Sequence, residues 1–374
     1  MATPRRDRLS VRGPDRRALV SSMSEPNSAN PVLVEVVRGA IVESRHAGAI
    51  AVADAQGRLV LALGDVERPV FPRSAVKALQ AVPLVESGAA DAFGLSDEEL
   101  AVACASHSGD DLHVAAVRSL LAKAGLDENY LACGAHWPVS DKATRALIKA
   151  GRSPQAVHNN CSGKHAGMLA AAVNLGFDLR GYERPDHPLQ VMIAGIISET
   201  CGVRLERDGM GVDGCSLPTW SLPLAPLARG FARFGTGEGL APARAAAAAR
   251  LIRACFAAPV LVAGDGRFDT IAMRALAPEL FVKGGAEAVH CAALPGLGLG
   301  IALKIDDGAK RGAERALAEL LAVLLPKARS ALADQLDGEM PNWRGISVGR
   351  VMASAELRQA VAALAATPRR RAKA

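Results

Sequence analysis

The hydrophobic period changes twice along this chain, and those two changes constrain the fold more than any other feature. From about Val32 the apolar residues come in short β-type runs, at 32–37, 41–42, 49–53 and 58–63, rich in Val, Leu and Ile. Asp54-Ala55-Gln56-Gly57 separates the last two runs. Its glycine supplies the positive φ that a tight hairpin needs, so the opening reads as a β-meander. Pro69, Pro72 and the acidic Glu67 end that pattern. From Ser74 the period lengthens, and Val76, Leu79, Val82, Leu84 and Val85 fall broadly on one helical face. Helical segments with Gly-rich interruptions continue to about residue 260, at 97–106, 112–125, 140–150, 164–176, 186–202 and 241–257. Strand-like runs return at 280–283 and 298–306, and 311–334 reads as a long amphipathic helix. This order predicts an α/β fold in which both chain ends, 32–73 and 260–362, build the sheet domain. A mainly helical domain, 74–259, is inserted between them. Residues 1–31 are polar and aperiodic and read as a disordered N-terminal extension, and 363–374 as a basic tail.

Composition narrows the function. Half of the 374 residues are apolar but only 3% are aromatic, so the core is built from Ala, Val and Leu and little aromatic surface is left to stack bases. The net charge of +6 sits largely at the ends, in Arg5, Arg6, Arg8, Arg12, Arg16 and Arg17 and in Arg369, Arg370, Arg371 and Lys373. No basic helix or basic–aromatic stripe lies between them, which argues against nucleic acid. Seven cysteines, an odd count in a long chain, point to a reducing compartment rather than a disulfide framework. No apolar run approaches the ~20 residues of a membrane span, and the basic N-terminus lacks the apolar stretch of a secretory signal. The expectation is a cytoplasmic protein with no membrane partner.

Arg73-Ser74-Ala75-Val76-Lys77 follows a Pro-flanked loop and opens an apolar helix. In a first helical turn Ser74 and Lys77 share a face, which predicts a direct hydrogen bond between them. A serine hydroxyl needs a base to become a nucleophile, and a lysine becomes one when its pKa falls through burial or a neighbouring cation. The pattern alone is short and recurs by chance; two later segments support it. Cys104-Ala105-Ser106-His107-Ser108 places hydroxyls after an apolar stretch, and Phe281-Val282-Lys283-Gly284-Gly285 ends a strand on a lysine followed by two residues without side chains. Serine-type penicillin-recognising enzymes use Ser-x-x-Lys, a Ser-containing loop and a Lys-Thr-Gly strand in this order. Here Lys-Gly-Gly replaces Lys-Thr-Gly and there is no Ser-Asp-Asn, so the order supports a related architecture rather than β-lactam chemistry.

A second constellation lies at Asn160-Cys161-Ser162-Gly163-Lys164-His165 and Asp213-Gly214-Cys215. A phosphate-loop reading of Gly163-Lys164 fails because position 158 is His and no Ser or Thr follows the lysine. Cys161 and Cys215 are open to two readings: buried structural thiols, or ligands, given the Asn, Lys, His and Asp around them. Neither belongs to a Cys-x-x-Cys pair of the zinc-finger kind.

Taken together, Arg73 to Lys77, Cys104 to Ser108, Cys161 to His165, Asp213 to Cys215 and Val282-Lys283-Gly284 resemble the asparaginase family typified by the inducible Rhizobium etli enzyme. The match covers roughly residues 35–305. The resemblance implies a fold similar to serine β-lactamases and glutaminases, a homodimer, and hydrolysis of L-asparagine to L-aspartate and ammonia. It makes Ser74 the nucleophile, Lys77 its base, and Ser106 and Lys283 its hydrogen-bonding and electrostatic partners. It also implies a zinc ion held by Cys161, Lys164 and Cys215, with Arg73, Asn160, His165 and Asp213 orienting the substrate, Asp213 at its α-amino group. The competing readings are a glutaminase or other small-amide amidase on the same scaffold, a penicillin-binding protein, and a non-catalytic zinc-binding protein.

Overall fold

The structure is a computed structural model and describes residues 30–366. The expected N-terminal extension and basic tail lie outside these residues, except for 30–31 and 363–366. Asn30 is tied in at once: its Nδ2 donates to Asp306 and its Oδ1 accepts from Asp65 N–H.

The architecture is mixed α/β around one antiparallel sheet. Its strands are β1 (Val32–Arg38), β2 (Ile41–Asp54), β3 (Leu59–Leu63), β6 (Phe281–Gly284), β7 (Val289–Leu294), β8 (Leu299–Ile305), β9 (Glu339–Pro341) and β10 (Ser347–Ala353). A separate small hairpin is made by β4 (Met210–Val212) and β5 (Pro218–Trp220). The main order is β6-β7-β8-β2-β1-β10-β9, with β3 also on β2, so both ends of the chain contribute neighbouring strands. The long β2 divides its edges: Ile41 to Ala47 pairs with β1, and Gly48 to Asp54 with β8. Gly48 marks the change, and a Cβ there would meet Lys304 O at 2.2 Å.

β7 is buried at every residue and β8 at nearly every one, so both faces of the sheet are covered. Helix Leu224–Thr236 and helix Lys310–Leu324 each pack on β7 and β8. Gly300 lets the first approach closely, since a Cβ there would lie 2.0 Å from Ala228 O. Helices Asp97–Ala103, Asp111–Lys123, Ser162–Leu175 and Pro242–Ala257 form the helical block. Small residues draw it together: a Cβ on Gly163 would meet Val102 O at 2.1 Å. That contact brings the start of helix Ser162–Leu175 against the end of helix Asp97–Ala103.

Some expected boundaries moved. The helix read over 97–106 stops at Ala103, because the Ser106 N–H turns to Val262 O (2.9 Å) instead of continuing the helix. The helix read over 311–334 runs Lys310–Leu324 and breaks before Pro326 into two short turns, Ala328–Ala331 and Ala333–Asp337. Among the described residues, no helix is long and apolar enough to cross a membrane.

Candidate active site

Ser74 sits in a 3-10 turn, Arg73–Val76, rather than in the first turn of a regular helix. Arg73 has φ +50°, in the left-handed region that non-glycine residues avoid. Such a conformation costs of order 1–3 kcal/mol and persists where surrounding contacts impose it. Here the guanidinium donates twice to Asp213 Oδ1, at 2.9 and 2.6 Å. The turn also presses on β6, since a Cβ on Gly285 would meet Pro72 O at 2.6 Å. Gly285 therefore has to lack a side chain for Ser74 to stand beside the end of that strand.

Ser74, Ser106 and Asn160 line one cavity of about 170 Å³, together with Asp269, Gly284, Gly285 and His290. Lys283, fully buried, donates to Ser106 Oγ at 3.0 Å and to Gly284 O at 2.6 Å. Burial pushes the Lys283 ammonium down to about 7, with Asp269 opposing the shift and Lys77 adding to it. Asp269 was not singled out from the sequence. Burial alone would raise its pKa, yet His290, Lys283 and the Gly284 N–H outweigh that and hold the carboxyl well below the usual range. Its Oδ2 accepts from Gly284 N–H at 2.9 Å, 3.9 Å from Lys283 Nζ.

The expected Ser74–Lys77 hydrogen bond is absent. Lys77 is fully buried and donates to Ala105 O at 2.6 Å and Asn160 O at 3.2 Å instead. Ala105 O sits in irregular backbone, where a buried acceptor needs a donor from outside, whereas Asn160 O also accepts the His107 N–H at 3.2 Å. Burial lowers the Lys77 pKa, and Lys164 lowers it further against the opposing thiols of Cys161 and Cys215.

The second constellation also converges. Lys164 Nζ contacts Cys215 Sγ at 3.3 Å, and Cys161 Sγ donates to Asn160 Oδ1 at 3.2 Å. Cys161 and Cys215 interact with each other, and the pair divides its titration. The hydrogen bond from Cys215 holds the Cys161 thiol well down, helped by Lys77 and Lys164, while Cys215 is pushed up. Burial disfavours the Lys164 ammonium, but the two sulfurs and Asp213 more than restore it. Ser216, beside Cys215, is a second non-glycine residue at positive φ (73°). Among the described residues, no three His, Cys, Asp or Glu side chains gather as a metal site.

Three of the residues expected to orient the substrate, His165, Arg73 and Asp213, do not line this cavity. His165 is fully buried, its Nδ1 2.6 Å from Tyr182 Oη, and it is not among the residues lining the cavity. Burial, then Lys164 and Lys77, keep its imidazole neutral. Arg73 and Asp213 are engaged with each other, and neither lines the Ser74 cavity. Asn160 does line it, and joins the two constellations: its carbonyl holds Lys77, its side chain Cys161, and its N–H donates to His136 Nε2 at 3.0 Å. Besides Asp269, sequence reasoning missed His290 and His136, which stand in segments with no motif to mark them.

A family model described as L-asparaginase II matches residues 34–353. No curated protein sequence matches this chain significantly. Among solved structures, a β-lactamase from Mycobacterium bovis is similar at TM-score 0.35 and 11% identity, over 77% of this chain and 94% of that one. Mglu is similar at TM-score 0.31 and 17% identity, over 77% of this chain and 65% of that one. A mutant of simvastatin synthase (LovD) from Aspergillus terreus is similar at TM-score 0.31 and 11% identity, over 77% and 93%.

Proposed function

The chain belongs to the L-asparaginase II family, and from that premise we propose that it hydrolyses L-asparagine to L-aspartate and ammonia with Ser74 as nucleophile. The observation that carries the reading is one cavity lined by two serines, with a buried lysine near neutrality hydrogen-bonded to one of them. Lys77 was expected to be the base. Its hydrogen bonds to Ala105 O and Asn160 O direct it away from Ser74, and we assign that role to Lys283.

Neutral Lys283 accepts the Ser106 proton as Ser106 Oγ accepts that of Ser74. Ser74 Oγ then attacks the side-chain amide carbon. The Ser74 N–H, which donates to no described group, is one donor available to the oxyanion, a contact typically worth ~2.7–4 kcal/mol. The proton returns through Ser106 to the leaving nitrogen, ammonia departs, and water hydrolyses the acyl-serine ester with Lys283 again taking a proton. A glutamine would differ by one methylene, worth only ~1–3 kcal/mol in a pocket.

The 3.0 Å Lys283–Ser106 bond favours a second reading, with Ser106 itself as nucleophile. Labelling with a diazoketone analogue of asparagine and mapping the adduct separates the two. Ser74→Ala is expected to abolish turnover and labelling, with Ser106→Ala slowed but still labelled at Ser74. An adduct on Ser106 in the native protein would overturn the first reading.

We also propose zinc at Cys161, Lys164 and Cys215. The donor set fits: two soft sulfurs and an amine, with the Lys164–Cys215 separation of 3.3 Å close to the roughly 3.5 Å between nitrogen and sulfur on a tetrahedral zinc. Bound zinc would supply a Lewis acid beside the substrate or brace the two loops. Stoichiometric zinc in the native protein, lost in Cys161→Ser, is the expected result; a metal-free native protein of unchanged thermal stability speaks against the site.

A further inference from the structure

The Ser74 cavity carries charges that none of these roles uses. Arg267 lines it from the start of helix Phe268–Leu276, and its guanidinium has no hydrogen bond or ion pair among the described residues. Glu314 lines it from helix Lys310–Leu324. Glu314 Oε1 is buried and has no well-aligned hydrogen bond among the described residues, its nearest cation being Lys310 Nζ, which lines the same cavity. Its charged neighbour, Lys310 at 3.0 Å, is an i,i+4 pair whose lysine is 54% exposed, a class of contact that contributes little. Arg73 and Asp213, by contrast, neutralise each other at 2.6 Å. A half-buried guanidinium without an anion among the described residues is unfavourable in a protein alone, and a buried carboxylate oxygen held by one exposed lysine is only weakly compensated. They become favourable when a ligand brings the opposite charges, and a free α-amino acid carries both on one carbon.

We propose that Arg267 and Glu314 form a zwitterion clamp, Arg267 taking the substrate's α-carboxylate and Glu314 its α-ammonium, with the side-chain amide directed to Ser74. The clamp deepens the asparaginase reading and rests on its placement of the nucleophile. It selects free α-amino acids over simple amides and peptides, because either charge is lost when that end is capped. It also moves α-amino recognition from Asp213 to Glu314.

The test compares ammonia release from L-asparagine, succinamic acid (no ammonium) and 3-aminopropanamide (no carboxylate) by the full chain and by Arg267→Gln and Glu314→Gln. Each lost charge-assisted contact is expected to lower kcat/KM about 10- to 100-fold. Arg267→Gln is expected to lose that factor on L-asparagine and succinamic acid but not on 3-aminopropanamide. Glu314→Gln is expected to lose it on L-asparagine and 3-aminopropanamide but not on succinamic acid. Equal losses on all three overturn the clamp. A binding measurement stands apart from turnover and from any variant's folding: L-aspartate is expected to bind the native protein at least about 10-fold tighter than succinate. Equal binding of the two overturns the clamp even if turnover is found. Absence of turnover with tight L-aspartate binding overturns the hydrolase reading and leaves the clamp.

Discussion

Ser74 and Lys77 stand three residues apart, Ser106 and Lys283 stand 177 apart, and only the second pair is hydrogen-bonded. The two lysines are equally buried, but they are held differently. Lys77 donates to two backbone carbonyls from separate loops and is a strut between them; burial lowers its pKa, with Cys161 and Cys215 opposing the shift. Lys283 has one carbonyl and one hydroxyl, with an anion 3.9 Å away, and comes down to about 7. Burial alone does not make a base; the partners that remain after burial decide which lysine can give up its proton.

Deleting each lysine is the most forceful way to break that comparison. Lys283→Met is expected to lower kcat/KM by ~10²–10⁴-fold, the range of a lost general base, with a smaller change in stability. Lys77→Met strands the buried Ala105 carbonyl, at about 1–3 kcal/mol, while Asn160 O keeps the His107 N–H; the loss is expected to show first in denaturant unfolding. Equal kinetic losses with unchanged stability in both would erase the distinction.

The pH profile sharpens it. A neutral Lys283 is the active form, so kcat/KM is expected to rise with pH through about 7. Asp269 favours the ammonium, so Asp269→Asn is expected to lower the lysine's pKa. The rising limb then moves to lower pH, by roughly one unit or more. A limb that stays in place assigns it to another group.

The smallest expected effect concerns the turn that presents Ser74. Asp213→Asn removes the charge that holds Arg73 at φ +50°, and kcat is expected to fall about tenfold, or ~1.4 kcal/mol, with little change in KM. A KM effect confined to substrates bearing an α-amino group would return Asp213 to the contact first expected of it.

Much of the frame was legible in the chain. The shift of period at Ser74 marks where the opening strands give way to helices, and the returning apolar runs at 280–283 and 298–306 correspond to β6 and β8. Illegible were β7, whose His290 and Cys291 interrupt its apolar run, and β10, whose Gly349 and Arg350 do the same. Helix Leu224–Thr236 was hidden as well, because Pro226 and Gly230 mask its period although Gly230 lets it pack closely on Cys201. The motif residues were all findable, since lysine, cysteine and glycine in polar runs stand out against an Ala- and Leu-rich background. Asp269 and His290 were not, because a lone acid and a lone imidazole in apolar surroundings look like any others.

The sequence by itself determined which side chains were available: the serines and lysines of Arg73 to Lys77, Ser106 and Lys283, the sulfurs of Cys161 and Cys215, and the order of strands and helices that carries them. Only the tertiary structure decided their pairing. Hydrogen bonds and charge shifts depend on separations of a few ångströms and on exclusion of water, and these are set when β6 and the loop after helix Asp97–Ala103 come together across the fold. That approach gave Ser106 to Lys283, turned Lys77 toward two carbonyls, and left Arg267 without an ion pair among the described residues at the cavity that Ser74 lines.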